Sequence, residues 1–264
     1  MKIPIYQVDA FSQHIFGGNP AAICPLESWL PDSVMQNMAL ENQLSETAFF
    51  VKEEKAYHLR WFTPAIEIDL CGHATLASAH VLYQHLGHIG PLAFRTLSGI
   101  LEVEQKEDKY FMKLPSRPPE KLDGPKNVVE AMGLAPLEIR KSRDYFFVFE
   151  NESQIRNMEP KFDLIYEWEE AVGVTVTAPG DSADFVSRFF APRAMINEDP
   201  VTGSAHCNLV PYWSEKLGKK KLYAEQLSKR KGELHCEDLG EQISLGGNAV
   251  TFFQGKIDLS SILS

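Results

Sequence analysis

Short apolar runs broken by turn residues fill most of this chain, and only a few stretches show helical spacing. Over residues 3–11, Tyr6, Val8 and Ala10 fall at every second position, which is typical of a half-buried strand. Over residues 32–42, apolar side chains recur at intervals of three and four, which predicts an amphipathic helix. The chain therefore combines many short strands with a small number of helices.

The same two patterns predict the remaining elements. Further strands are predicted over residues 21–24, 47–51, 57–63, 145–149, 173–177, 184–190, 232–237, 241–246 and 249–255, with three more between 92 and 113. Further helices are predicted over residues 74–86, 126–132 and 203–217. A proline-rich crossover at residues 115–119 is the predicted boundary between two parts of the chain. Both parts mix strands with helices.

Two stretches about half a chain apart share one layout, in which a polar turn with a glycine leads into a predicted helix. The first is Cys71-Gly72-His73 and the second is Asp199-Pro200-Val201-Thr202-Gly203-Ser204. Backbone N–H groups at such a helix start can converge on an anion, and the helix dipole favours negative charge there. Taken singly, each is also the pattern of an ordinary strand-loop-helix connection with a capping Asp or Thr. Together they predict two similar halves that hold a small carboxylated substrate in a cleft between them.

Glu46 is a candidate proton carrier because it lies at the entrance of the predicted strand 47–51, just before a hydrophobic run. A carboxylate set against apolar surface loses solvation, which prepares it to carry a proton. The alternative interpretation is an exposed glutamate at the edge of a sheet, which position alone would favour.

Composition restricts the classes of partner. The 264 residues are 44% hydrophobic and 23% charged, with a net charge of −10, which argues against nucleic-acid binding. We expect no membrane span, because no stretch approaches the ~20 apolar residues that a bilayer requires. The four cysteines lack CxxC spacing, which predicts reduced thiols in a cytoplasmic protein. The three histidines between 80 and 88 lack HExxH spacing, so we expect no metal site.

Several motifs in a fixed order carry a family resemblance. They are Val8-Asp9-Ala10-Phe11, Gly18-Asn19-Pro20-Ala21, Leu44-Ser45-Glu46-Thr47-Ala48-Phe49, Cys71-Gly72-His73-Ala74-Thr75-Leu76-Ala77 and Glu198-Asp199-Pro200-Val201-Thr202-Gly203-Ser204-Ala205-His206. With them the chain resembles the phenazine-biosynthesis isomerase-like (PhzF-like) family, whose fold is that of diaminopimelate epimerase. The resemblance runs from end to end of the chain.

The resemblance implies an α+β architecture of two similar halves, 1–115 and 116–264. Each half would be a curved, mostly antiparallel sheet around a central helix, with the active site in the cleft between the halves. It also implies a homodimer that acts on a small carboxylate without a cofactor or metal.

The resemblance assigns roles as well. Glu46 matches the glutamate that moves the proton, and His73 and Asp199 match the polar partners that orient the substrate and that glutamate. The groups that match the binders of the substrate carboxylate are Gly72, Thr202, Gly203 and Ser204. The implied activity is a cofactor-independent isomerisation by general acid–base catalysis.

Three alternatives stay open from the sequence. An epimerase or racemase of this fold would need two opposed thiols, but Cys71 has no counterpart beside Asp199, and Cys207 falls inside the predicted helix. A non-catalytic binding protein on the same fold is the second alternative. A serine hydrolase would rest on Ser204 alone, and the Gly-x-Ser-x-Gly elbow is missing there.

Overall fold

The computed structural model describes residues 1–262. The strands in these residues are β1 (Lys2–Ala10), β2 (Asn19–Leu26), β3 (Glu46–Lys52), β4 (Tyr57–Phe62), β5 (Glu67–Ile68), β6 (Leu92–Thr96), β7 (Gly99–Lys106), β8 (Lys109–Pro115), β9 (Glu120–Lys121), β10 (Glu138–Lys141), β11 (Tyr145–Val148), β12 (Val174–Pro179), β13 (Phe185–Ala191), β14 (Ile196–Asp199), β15 (Lys221–Gln226), β16 (Gly232–Asp238), β17 (Gln242–Gly247) and β18 (Ala249–Asp258). The helices are α1 (Asp32–Asn42), α2 (Gly72–Gln84), α3 (Val128–Met132), α4 (Glu152–Arg156), α5 (Phe162–Tyr166) and α6 (Gly203–Leu217), with a 3-10 turn at Pro192–Ala194.

The long helices follow the sequence prediction closely. Helices α1 and α6 have the predicted bounds, and α6 ends at Gly218 in the left-handed region with φ 68°, as a C-terminal glycine does. Helix α2 begins at Gly72, two residues before the predicted start, because Cys71 is its N-cap. His73 therefore lies in the first turn of α2. Within residues 1–262, no helix is both long and apolar enough to cross a membrane.

Unit 1 comprises residues 1–113 together with the described residues from 246 onward. Its strands pair in the order β18-β1-β2-β3-β4-β6-β7-β8, and β5 is added to β4. The pairs β2–β3 and β4–β6 are parallel and the others are antiparallel. Helix α2 is buried throughout from residue 72 to residue 82 and contacts β1, β2, β3 and β18. Unit 1 is thus a sheet wrapped around one central helix.

Unit 2 comprises residues 114–245 and repeats this plan. Its strands pair in the order β9-β10-β11-β12-β13-β15-β16, and β14 is added to β13. The parallel pairs are β11–β12 and β13–β15, at the same places in the order as in unit 1. Helix α6 follows β14 as α2 follows β5. The predicted α+β class, with two similar, mostly antiparallel halves and few helices, is confirmed.

Burial of β3, which contacts both α1 and α2, explains the long apolar run that follows Glu46. Strand β3 lies between β2 and β4, and its first five residues are all buried. A strand that is covered on both faces needs apolar side chains in both directions, which accounts for Ala-Phe-Phe-Val in place of strict alternation. Glu46 is thereby placed at the first position of a buried strand.

Candidate functional site

Glu46 is the first residue of β3 and pairs in register with Ala21 on β2. Only 8% of the residue is exposed, so the alternative of an exposed edge glutamate is wrong. A carboxylate in such a place needs a polar partner, because burying an unpaired charge is costly.

His73 supplies that partner from the first turn of α2. Its Nε2 lies 3.0 Å from Oε2 of Glu46, and both side chains are almost fully buried. The separation is that of an ion pair or charge-assisted contact, although the two groups lack the alignment of a full hydrogen bond. Catalytic contacts of this kind commonly tighten only when substrate is bound. Unit 1 therefore brings together Glu46, His73 and Gly72, three of the residues singled out from the sequence.

Asn19 also contacts the imidazole ring of His73, and the sequence analysis gave it no role. It is the first residue of β2, it is fully buried, and its Nδ2 lies 3.2 Å from Nδ1 of His73. The preceding Gly18 has φ +61°, a left-handed conformation that glycine adopts without strain. The signal in the sequence was the Gly18-Asn19-Pro20 motif, which indicated a turn and nothing about the ring that Asn19 contacts.

Charges around His73 shift its titration. Burial lowers the pKa of the imidazole, but Cys71 and Glu46, through charge and hydrogen bonding, outweigh burial and leave the pKa raised well above its usual value. Cys71 contributes charge only as a thiolate. At neutral pH the carboxylate of Glu46 is therefore the group that favours a charged ring.

Cys71 lies on the other edge of the ring, with its Sγ 3.6 Å from Nδ1 of His73. Burial, and after it the negative charge of Glu46, raise the pKa of this thiol to about 11. The thiol is thus protonated at neutral pH and is a poor nucleophile.

We expect Cys71 to resist alkylation. Treating the native protein with iodoacetamide at pH 7 should leave this thiol unmodified, because it is buried and protonated, and mass spectrometry of tryptic peptides reads this directly. The same treatment in denaturant is the positive control. Rapid modification of Cys71 in the native protein would contradict a protonated, buried thiol.

The same three residues also form a potential metal cluster, since one ligand atom from each of Glu46, Cys71 and His73 lies within 4.8 Å of the others. A histidine binds one ion through one ring nitrogen. Here Nδ1 faces Cys71 whereas Nε2 faces Glu46, so that the thiol and the carboxylate lie at opposite edges of the ring. This arrangement suits the transfer or orientation of a proton better than the binding of a single ion.

In unit 2 the second helix start forms a compact hydrogen-bonded turn. Thr202 is the N-cap of α6, and its hydroxyl donates to Oδ2 of Asp199 at 2.5 Å. Gly203 and Ser204 form the first turn of the helix. Asp199, Thr202, Gly203 and Ser204 are therefore neighbours, as their spacing suggested. The joint action of Asp199 and His73 stays a prediction.

Gln226 at the end of β15 holds this turn and was missed in the sequence. It is fully buried, its Nε2 donates to the Asp199 carbonyl at 2.9 Å and to the Thr202 hydroxyl at 3.1 Å, and its Oε1 accepts from the Thr202 N–H at 2.9 Å. Because the oxygen of the Thr202 hydroxyl accepts from Gln226, the hydrogen of this hydroxyl is directed at Asp199. The strand β15 was not predicted, so nothing in the sequence placed Gln226 beside a turn that lies 24 or more residues earlier.

At the start of both α2 and α6, a side chain donates a hydrogen bond to the carbonyl of the N-cap residue. The Thr75 hydroxyl donates to the Cys71 carbonyl at 2.6 Å, and the Nδ1–H of His206 donates to the Thr202 carbonyl at 2.8 Å. Each donor lies four residues after its N-cap. His206 is fully buried, and burial lowers its pKa to about 4.

We expect His206 to make the protein sensitive to acid. Its pKa is about 4 when folded and about 6.5 when unfolded, so the unfolded chain binds the additional proton between these values. Stability is therefore full above pH 6.5 and falls by up to about 3 kcal/mol as the pH drops towards 4. His206→Asn keeps a donor for the Thr202 carbonyl but does not titrate. Urea unfolding between pH 4 and 7 should show a flatter pH dependence for this variant, and equal slopes would contradict the assignment.

Comparisons with known proteins agree with the architecture and the motifs. A family model described as phenazine biosynthesis-like protein, PhzC-PhzF, matches residues 8–255. A Pseudomonas aeruginosa protein that is named only as an uncharacterized isomerase is 47% identical over 98% of this chain and all of its own length. A crystal structure of an Enterococcus faecalis member of the PhzF family is 48% identical, with a TM-score of 0.96 over 98% of this chain and 100% of that one.

A more distant structure shows how far the fold extends. The hydroxyproline epimerase of Agrobacterium vitis has a TM-score of 0.63 over 99% of this chain and 94% of its own, at 7% identity, which is a likeness of fold alone. Because the family model matches residues 8–255 and two relatives are 47% and 48% identical to it, this chain belongs to the phenazine biosynthesis-like (PhzF) family and is an isomerase.

Proposed function

We propose that this isomerase moves a proton between two carbons of one small carboxylated metabolite, and that Glu46 carries the proton. The observation that supports this most is the buried contact of Glu46 with His73, at 3.0 Å. A carboxylate that is shielded from water and held by one polar partner can take a proton from carbon and keep it long enough to return it.

The proposed steps balance within the substrate. Glu46 breaks a C–H bond next to a conjugated or carboxylated group and forms its own O–H bond, while the electron pair of the C–H bond becomes part of a shifted double bond. The same carboxyl group then gives the proton to another carbon on the same face. The product is an isomer of the substrate, and Glu46 is an ionised carboxylate again.

Stabilisation of the developing negative charge is the second requirement. The N–H groups of the first turn of α2, at Gly72, and of α6, at Gly203 and Ser204, are not needed inside the helices and can bind a carboxylate. We propose that they and the Thr202 hydroxyl bind the substrate carboxylate, and that Asp199 orients the substrate. Preorganised donors of this type are worth roughly 3–4 kcal/mol each in the transition state.

The alternative activity is epimerisation at one carbon. It requires a second acid on the opposite face of the substrate, as the two-thiol racemases have. Thr202 occupies the N-cap position that Cys71 occupies in unit 1. With Thr202 at this position in place of a second thiol, transfer between two carbons on one face is the favoured proposal. The homodimer stays a prediction.

A substrate panel tests the proposal. The purified protein is incubated in H₂O with small carboxylates that include amino acids and dihydro-hydroxyanthranilate, and products are identified by proton NMR and chiral chromatography. A shifted double bond in a product of unchanged mass supports the proposed isomerisation. Inversion at one carbon supports the epimerase instead, and binding without conversion across the panel, read from thermal shifts, supports the non-catalytic alternative.

A further inference from the structure

We propose that Asn19 is a positioning residue that sets the tautomer of His73, so that the ring presents an N–H, and not a lone pair, to Glu46. The inference deepens the proposed function, on which its kinetic consequence rests. It concerns a contact between β2 and the first turn of α2, whose two residues lie 54 positions apart.

Three side chains contact the two nitrogens of the His73 ring. Nδ1 of His73 faces Nδ2 of Asn19 at 3.2 Å and Sγ of Cys71 at 3.6 Å, and Nε2 faces Oε2 of Glu46 at 3.0 Å. Cys71 and Glu46 are thus titratable groups in contact with the ring. The amide nitrogen of asparagine is only a donor, and a protonated thiol is a weak donor.

These contacts determine which nitrogen of the neutral His73 ring carries the proton. With donors from Asn19 and Cys71 directed at Nδ1, this nitrogen acts as the acceptor, and a neutral ring must carry its proton on Nε2. The other tautomer would direct the lone pair of Nε2 at the Glu46 carboxylate, where two acceptors would repel each other. Both edges of the ring thus favour Nε2–H.

Burial and strand pairing hold Asn19 in place. The residue is fully buried and pairs with Ala10 in the β1–β2 ladder, and the left-handed turn at Gly18 fixes where β2 begins. A buried side chain on a paired strand keeps its amide in one place relative to the central helix. Asn19 can therefore act on the ring more reliably than a loop residue could.

The consequence concerns what happens to the transferred proton. A neutral ring directs its Nε2–H at the Glu46 carboxylate, 3.0 Å away, and so favours one orientation of it, but the ring offers no lone pair to Glu46 once that group has taken a proton. The proton then stays on Glu46 and is available for return to the substrate. Asn19 also opposes the charged ring that Glu46 favours, because a proton on Nδ1 would meet the donor of Asn19.

The experiment is ¹⁵N NMR of histidine-labelled protein between pH 6 and 10, with His73 assigned by comparison with His73→Gln. It needs no substrate, so it can fail while the proposed function stands, and it can succeed if that function is wrong. Above the pKa of His73, we expect Nδ1 to resonate as an unprotonated nitrogen and Nε2 as a protonated one. The reverse pattern would overturn the proposal without any variant at position 19.

Asn19→Asp supplies the second arm. An aspartate beside Nδ1 accepts where the amide donates, so the pKa of His73 should rise by about one to three units. The lower pH limit of kcat should move in the same direction with little change in KM, because the neutral ring is the working form. Asn157→Asp, at an exposed helix end in unit 2, is the matched control and should leave the titration of His73 unchanged. An unchanged His73 titration in a folded Asn19→Asp protein would also overturn the proposal.

Discussion

Glu46→Gln is expected to lower kcat by about 10²–10⁴-fold, the usual contribution of a positioned general acid or base. Glutamine keeps the size of the side chain and an oxygen that can accept from Nε2 of His73, but it cannot take a proton from carbon. The fold and the affinity for substrate should therefore be nearly unchanged. Product formation followed by NMR gives kcat, and circular dichroism with a thermal melt reports the fold.

The matched control for this variant is Glu41→Gln. It makes the same chemical change at an exposed position near the end of α1, in the same unit. Its kcat should equal that of the wild type. A Glu46→Gln protein that is folded and retains wild-type turnover would remove Glu46 from the proposed role.

Gly18→Ala is expected to destabilise the protein by about 2–5 kcal/mol, through backbone strain together with steric overlap. The φ of +61° at this position is unfavourable for alanine, and a Cβ would collide with the backbone carbonyl of Ala10, which cannot move as a side chain can. The damage would lie directly beside Asn19. Urea unfolding at pH 7 measures the change in the free energy of unfolding.

Gly87→Ala separates the two causes. Gly87 has nearly the same φ, +67°, but no atom lies within 4 Å of the position where its Cβ would be. This variant should show the backbone cost alone, about 1–2 kcal/mol. Equal losses of stability in the two variants would show that the collision with Ala10 contributes nothing.

The predictability of this fold from sequence depended on how local each signal was. Helix α6 was predicted to the residue, because its start at Gly203, its apolar spacing and its C-terminal Gly218 are all local. The pairing of β18 with β1 joins the two ends of the chain, and spacing within a short window carries no information about it. Strand β15 does alternate, with buried residues at 222, 224 and 226, but no strand was predicted there.

In the candidate site, too, residues close together in the sequence were predicted and those with distant partners were not. The predicted neighbours Asp199, Thr202, Gly203 and Ser204 lie within one turn, so their spacing was sufficient. Asn19 and Gln226 contact partners that lie far away along the chain, and an asparagine after glycine or a glutamine in a strand is common without any such role. Each was identified from its hydrogen bonds and its burial, which depend on the complete fold.

The repeat of the two units allows the positions of Glu46 and His73 in unit 1 to be compared with the equivalent positions in unit 2. Glu46 and Val174 are the first residues of the equivalent strands β3 and β12, and His73 and Ser204 are the second residues of the equivalent helices α2 and α6. Unit 2 therefore has an apolar residue where unit 1 has its carboxylate. This asymmetry agrees with the proposal that Glu46 is the proton carrier and that the start of α6 binds an anion.

The most direct test of the central claim is hydrogen exchange at carbon, measured by proton NMR in D₂O with a carboxylate that the protein converts. Wild-type protein and Glu41→Gln should cause one C–H signal of the substrate to disappear or to move to another carbon. Glu46→Gln, folded and able to bind the same ligand, should leave that signal intact. Equal exchange by all three proteins would contradict the assignment of Glu46 as the group that moves the proton.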